Sequence, residues 1–287
     1  MNAYSEKDIF DAYYFSHGCE APYERSDDLL AFFDRIAGRI VEDIQPESVL
    51  DAGCAMGFLV ESLRKRGVQA YGVDISEYAV QNALPEVKPY CWVGSIADPF
   101  PQKYDLIVSI EVLEHMQKTQ SERAIANFCS SCDDVLFSSS PSDYKEVTHF
   151  NVQQPEYWGE AFARQGFFRD VDFDASFITP WAVRFTRADR PMHRIVRAYE
   201  RRYWALWKEN VDLRAVNLAM RDQLAKAKKK LPSGQHPHIS EDAGAWESQQ
   251  GAAMKVVRRL WAFRLIVAPK GSRRERLLNR VKTALRL

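Results

Sequence analysis

Two aspartates, Asp51 and Asp74, each close a short apolar run, in SVLDAGCAMG and in YGVDIS. Between them lie a loop of mainly small residues (Gly53, Cys54, Ala55, Met56, Gly57) and a helix-like stretch, FLVESLRKRG. A strand, tight turn, helix and second strand, with an acid about 20 residues past the glycines, form a nucleoside-binding unit. Small residues let the backbone approach a ligand, and a carboxylate accepts from both ribose hydroxyls. The G-x-G-x-x-G pattern that seats a pyrophosphate would need glycines at 55 and 58, where the chain has Ala55 and Phe58. That disfavours a dinucleotide, and with it a nicotinamide-dependent oxidoreductase.

The run D-x-G-C-x-x-G resembles motif I of the class I S-adenosylmethionine-dependent methyltransferases. YGVDIS is similar to their ribose-binding second strand, and VGSIADPFPQKYDLIVSIEVLEHM to their third and fourth strands with the E-V-L-E-H signature. The blocks fall in family order over residues 45–187. The resemblance implies S-adenosyl-L-methionine as cofactor. It implies that Asp51, Ala52, Gly53, Cys54 and Gly57 line the methionine end, that Asp74 with Ile75 holds the ribose, and that Ser95 and Ile96 flank the adenine. Glu111 would lie near the methionine moiety. Tyr23 and Arg25, in PYER, are placed to close over the cofactor, with Arg25 pairing with its carboxylate or, equally, held in a surface salt bridge. Many relatives carry Asp where Ser95 stands, so adenine selection would rest on backbone groups or Asp98. Turn chemistry is the alternative role for Asp51, Asp74 and Ser95.

Methyl transfer from a sulfonium requires alignment of the acceptor and, for a hydroxyl, removal of its proton. No metal is required in principle. The acceptor should sit over the loops after the fourth, fifth and sixth strands. These hold Glu114 and His115, then His149, Asn151, Tyr157 and Trp158, then Asp174, Ser176, Thr179 and Trp181. His149 is a candidate base, with a loop or capping role as the alternative, and His115 is a second candidate or a shaping residue. THFNVQQPEYW and FITPWA resemble bacterial methyltransferases that work with glycosyltransferases on surface polysaccharides. That implies a sugar, glycan or related small-metabolite acceptor. A non-catalytic scaffold that keeps the cofactor fold is the competing reading.

Apolar segments near 48–53, 69–74, 90–94, 104–110, 134–139, 168–174 and 181–187 read as strands. Helices are expected near 29–41, 57–67, 77–83, 118–130 and 154–165. The alternation predicts an α/β, Rossmann-like, seven-stranded sheet with helices on both faces. The resemblance implies an antiparallel seventh strand. The expected organisation is an aromatic lead-in (1–44), a cofactor-binding domain (45–190), a long helix (191–231), a linker (232–251) and a basic tail (252–287). Heptad-spaced apolar residues from Met192 to Ala227, with Asn210 and Asn217 in the seam, suit a homodimeric coiled coil or a helix lying on the domain.

Net charge is zero, but residues 252–287 hold eleven Lys/Arg against Glu275, leaving +10 there and −10 in the rest. An amphipathic basic tail suits an anionic membrane surface. Nucleic acid is a weaker alternative, because no recognition motif is present, and an unengaged solvated tail is a further one. Five cysteines without framework spacing suit a reduced, cytoplasmic protein, attached peripherally at the inner face of a membrane by that tail. Cys129 and Cys132 read as packing residues, and His236 and His238 as loop residues. No segment has the pattern of a signal peptide or a membrane span.

Overall fold

Continuous apolar runs such as Val49–Leu50 and Leu106–Ile107–Val108 belong to strands buried on both faces, and all five side chains have no exposed surface. The computed structural model describes residues 9–18 and 22–230, with side chains to 226. It divides into two units, Met1–Tyr199 and Glu200–Leu287.

The first unit is a doubly wound sheet. Its strands are β1 (Ser48–Ala52), β2 (Gln69–Asp74), β3 (Cys91–Val93), β4 (Leu106–Ile110), β5 (Asp134–Ser138), β6 (Phe167–Arg169) and β7 (Val183–Arg187). Its helices are α1 (Asp27–Asp43), α2 (Phe58–Arg64), α3 (Glu77–Gln81), α4 (Lys118–Ser131) and α5 (Pro155–Arg164). The strand order is β3-β2-β1-β4-β5-β7-β6. Only β7 breaks the parallel arrangement, pairing antiparallel with β5 and β6. Asp51 lies opposite Gly72 on one side and Val108 on the other. The order reverses between β1 and β4, so a crevice opens at their carboxyl ends.

Helices cover both faces. Ser26 caps α1 by accepting the Leu29 N–H at 3.3 Å, and Asp27 and Asp28 complement the helix dipole. The helix turns Ile36, Ala37 and Ile40 onto a core shared with Leu59, Val60 and Leu63 of α2. On the other face, Ala124, Ile125 and Phe128 of α4 pack with Trp158 and Phe162 of α5 around Phe137. Cys129 and Cys132 join this second core, and burial pushes both thiols up to about 12. They are packing residues, as their lack of a second pair suggested.

The last two strands are among those shorter than the apolar pattern predicts. The sixth ends at Arg169 because Asp170 and Asp174 accept the backbone N–H groups of Asp172 and Ser176, turning the chain out of the sheet. The seventh starts at Val183 because the Ala182 N–H bonds to the Thr179 carbonyl at 3.1 Å. Thr179 and Trp181 are thereby left in a loop at the crevice.

Helix α6 (Met192–Lys230) begins in the first unit, where Ile195 is buried and the Tyr199 hydroxyl accepts the Arg169 N–H at 3.1 Å. In the second unit Tyr203, Leu206, Leu213, Met220 and Leu224 are exposed, and Trp204 stacks on Trp207 at 5.0 Å. Asn210 and Asn217 are exposed as well. The expected linker (232–251) and basic tail (252–287) lie outside the described residues. Among the described residues, no helix is long and apolar enough to cross a membrane.

Candidate active site

A cavity of about 780 Å³ opens at the carboxyl ends of β1, β2, β4 and β5. Its floor is the loop after β1. There Gly53 has φ +93°, and a Cβ would fall 2.3 Å from Cγ2 of Val112. Only glycine meets both demands. Gly57, at φ +73°, starts α2 with its back against Val87 and Cys91, so it shapes the turn from behind rather than lining the cavity. Ala52 is likewise buried in the strand, whereas Cys54 and Ala55 reach the lining.

Asp74 closes β2 at the cavity wall. Its Oδ2 accepts the Ala55 N–H at 2.8 Å and its Oδ1 the Ser76 N–H at 2.8 Å. Backbone donors hold the carboxylate plane, and each oxygen keeps acceptor capacity for a ligand. Burial raises its pKa, and the N–H groups of Ser76, Ala55 and Ile75 pull it back. Asp51 is buried beside it. Burial, reinforced by the nearby Asp74 charge, pushes its carboxyl up to about 8, so it holds a proton near neutrality. Ile75, Gly94, Ser95 and Ile96 continue the lining on the same side. The Ser95 hydroxyl accepts the Ala97 N–H at 3.2 Å, and Asp98 faces Arg123 at 3.4 Å.

On the β4 side Glu111 sits at φ +52°, a left-handed conformation unusual for a non-glycine residue. Its N–H donates to the Ser138 carbonyl at 3.1 Å, and its carboxylate accepts the Trp181 Nε1–H at 2.9 Å. Below it, Glu114 is fully buried and accepts the Ser140 N–H at 3.1 Å. Burial, then repulsion from Glu111, pushes its carboxyl up to about 8. Glu114 is a neutral buttress of the wall.

His115 and His149 meet over the cavity with ring centroids 4.5 Å apart. The Thr148 hydroxyl donates to Glu146 at 2.7 Å, so at 3.0 Å it accepts from His115 Nδ1–H. His149 Nδ1 lies 2.8 Å from the Asp143 carbonyl, which only accepts. Both imidazoles therefore carry the proton on Nδ1 and a lone pair on Nε2. Burial, then the neighbouring His149, lowers His115 to about 4, which keeps that ring neutral.

The roof comes from the N-terminal segment. Phe10, Tyr14, Phe15 and Tyr23 line the cavity. Phe10 and Tyr14 set their ring edges against His115 at 5.7 and 6.1 Å, and the Ser76 hydroxyl donates to the Phe10 carbonyl at 2.5 Å. Arg25, expected at the cofactor carboxylate, lies outside the lining. Its guanidinium grips Glu61 with two bonds of 2.7 and 2.8 Å and, with Lys65, lowers that carboxyl to about 2. The acid of α2 is the nearer and buried partner, so Arg25 anchors the roof to the domain.

Of the other loop candidates, Thr179 and Trp181 line the cavity. Trp158 packs on Phe137, Tyr157 donates to Glu122 at 3.1 Å, and Asn151 donates to Ser121 at 2.9 Å; all three serve structure. Sequence reasoning passed over Phe10, Tyr14, Phe15, Asp143, Lys145 and Glu146, all of which reach the lining. Their adjacency to His149 in PSDYKEVTHF, and the aromatic density of YYFSHG, were the available signals.

A family described as "Methyltransferase domain" matches residues 23–218. Over 102 residues the chain is 31% identical to the ubiquinone biosynthesis O-methyltransferase of Photorhabdus laumondii, covering 32% of this chain and 42% of that protein. The enzyme of the same name from Neisseria meningitidis is 29% identical over 121 residues, covering 38% and 51%. The chain thus spans about half or less of the length of these curated relatives. The magnesium protoporphyrin IX methyltransferase of Synechocystis PCC 6803, solved with bound S-adenosylmethionine, superposes with a TM-score of 0.51 at 19% identity, covering 66% of this chain and 100% of that one. That likeness is one of fold. With a family match over most of the described residues, and the acid-ended strands and glycine turn in place, the chain belongs to the class I S-adenosylmethionine-dependent methyltransferases.

Proposed function

We propose that this chain transfers a methyl group from S-adenosylmethionine to a hydroxyl of a small acceptor, a sugar or a related polyhydroxylated metabolite. The observation that carries the cofactor reading is Asp74, held by two backbone N–H groups with acceptor capacity toward the cavity. That arrangement suits a vicinal ribose diol, and Gly53 lets a ligand lie close to the loop. When bound, the cofactor supplies an already activated methyl group. Gly53, Cys54 and Ala55 would border it, Asp51 and Glu111 would face its cationic end, and Ile75, Ser95 and Ile96 would flank the base.

The residues of the chain then have two tasks. Aromatic walls from Phe10, Tyr14, Phe33 and Trp181 exclude water and position a ring face. The Nε2 lone pair of His149 receives the hydroxyl proton as the oxygen attacks, and His115, kept neutral, shapes the pocket beside it. Ser142, Asp143, Lys145 and Thr179 supply polar partners for further hydroxyls, which favours a sugar-like acceptor. The names of the curated relatives support oxygen as the methylated atom.

Outside the cavity, the exposed apolar residues of α6 support a homodimer through that helix, and the charge of residues 252–287 supports contact with an anionic membrane. Formation of S-adenosylhomocysteine with a panel of polyhydroxylated and phenolic acceptors tests the reaction. Acceptor-dependent product that falls about 10²-fold or more in His149→Ala supports it. No product with any acceptor, despite tight cofactor binding, would favour a scaffold.

A further inference from the structure

We propose that His115, Glu146 and His149 form a binding site for a divalent first-row transition-metal ion, with at least one open position facing the acceptor side of the cavity. The role assigned to the ion rests on the methyl-acceptor reading of that cavity, whereas the binding site does not.

Ligand atoms from the three side chains lie within 4.8 Å of one another, and all three residues line the cavity. Two imidazoles and one carboxylate are a donor set that suits zinc, iron(II), cobalt(II) or manganese(II). Clustering alone would be weak ground, because a histidine pair with an acid serves many purposes. The hydrogen bonds around the cluster carry the inference further. A ligating histidine characteristically donates its other ring N–H to a fixed oxygen, which sets its tautomer and points the lone pair at the ion. Both histidines make the Nδ1–H half of that arrangement here. His149 Nδ1 donates to the Asp143 carbonyl at 2.8 Å, and His115 Nδ1 donates to the Thr148 hydroxyl at 3.0 Å.

The third ligand is oriented in the same way. Thr148 passes its own proton to Oε1 of Glu146 at 2.7 Å, while Oε2 of Glu146 lies 3.6 Å from His149 Nε2. One chain of bonds, His115 to Thr148 to Glu146, thus orders two ligands at once. The His149 side chain is 6% exposed and that of Glu146 18%, so the cluster is partly withdrawn from water.

Metal–ligand bonds of about 2.0–2.2 Å place tetrahedral or octahedral neighbours roughly 3.0–3.6 Å apart, so the ligands must draw in by about 1 Å. Glu146 and His149 share one loop without regular secondary structure, which accommodates a movement of that size. An ion with three protein ligands leaves room for acceptor oxygens. Two adjacent hydroxyls of a polyhydroxylated acceptor would chelate it. With the ion bound the imidazole lone pairs are committed to it, so a coordinated hydroxyl would lose its proton to solvent, and an imidazole would act as base only in the metal-free protein.

The test titrates chelator-treated full-length protein with cobalt(II) and follows its visible absorption. One equivalent is expected to give ligand-field bands. These should weaken at least tenfold in affinity in His115→Ala, His149→Ala and Glu146→Gln, and persist in His236→Ala/His238→Ala. Circular dichroism and melting temperature establish that each variant is folded. No cobalt-dependent band in wild type, or a band undiminished in His115→Ala/His149→Ala, overturns the site. Full methyl transfer by the chelator-treated protein overturns the role given to the ion. Because cobalt binding is read without cofactor or acceptor, failure of the metal site and failure of the methyl-transfer reading give different results.

Discussion

The Trp181 indole donates its Nε1–H to the Glu111 carboxylate at 2.9 Å, joining the loop before β7 to the end of β4. This bond closes the cavity wall where a backbone strained at φ +52° presents a carboxylate. Trp181→Phe keeps the apolar face and removes the donor. Because the indole is partly exposed, the loss should be about 0.5–1.5 kcal/mol, seen as three- to tenfold weaker S-adenosylhomocysteine binding by calorimetry.

Gly53 and Gly67 both have positive φ, but only Gly53 has a neighbour that a Cβ would strike. Gly53→Ala and Gly67→Ala therefore share the backbone cost of about 1 kcal/mol. Gly53→Ala alone must also displace the Val112 side chain, which lines the cavity. Urea denaturation should show Gly53→Ala less stable than Gly67→Ala by roughly 1–3 kcal/mol, and only Gly53→Ala should lose cofactor affinity.

Asp51, with its carboxyl near 8, is mostly protonated at pH 7. A cationic ligand beside it favours the carboxylate and lowers that value. Binding of S-adenosylmethionine at pH 7 should release a fraction of a proton. Calorimetry in buffers of different ionisation enthalpy detects it as a buffer-dependent binding heat, which Asp51→Asn should abolish.

Glu114 gives a pH dependence of stability with a definite sign. Its folded pKa, about 8, lies above that of an unfolded glutamate. Its contribution is therefore complete below about pH 4 and is lost as pH rises toward 8, because the unfolded chain releases its proton first. Glu114→Gln removes this loss. The variant should gain on wild type by roughly 2–4 kcal/mol between pH 5 and pH 8 in denaturant titrations.

The strands and the acids that end them were legible because their signals are local. An apolar run stopped by Asp51 or Asp74 beside a glycine turn needs no distant partner to be recognised. The antiparallel last strand came from family resemblance and agrees with the pairing of β7. Long-range placement was not legible. Arg25 precedes α1, yet its partner is Glu61, 36 positions away. Trp158 looked like an acceptor contact but is 2% exposed in the core, because the inward face of α5 carries it onto Phe137. Of the aromatic roof only Tyr23 was legible, beside Arg25 in PYER, and Phe10, Tyr14 and Phe15 were not, for the same reason. Nothing within residues 10–23 tells that Ser76 will bond Phe10 or that His115 will meet two ring edges. His149 was found as a loop histidine, but its pairing with His115 depends on where two loops converge.

The central claim is that Asp74 holds the ribose of an adenosyl sulfonium in a loop unsuited to a pyrophosphate. Calorimetric titration with S-adenosylhomocysteine and with NADH, on wild type and Asp74→Ala, tests it most directly. The account predicts micromolar binding of S-adenosylhomocysteine, a loss of tenfold or more in Asp74→Ala, and no heat from NADH. Equal S-adenosylhomocysteine affinity in both proteins, or tighter binding of NADH, would contradict it.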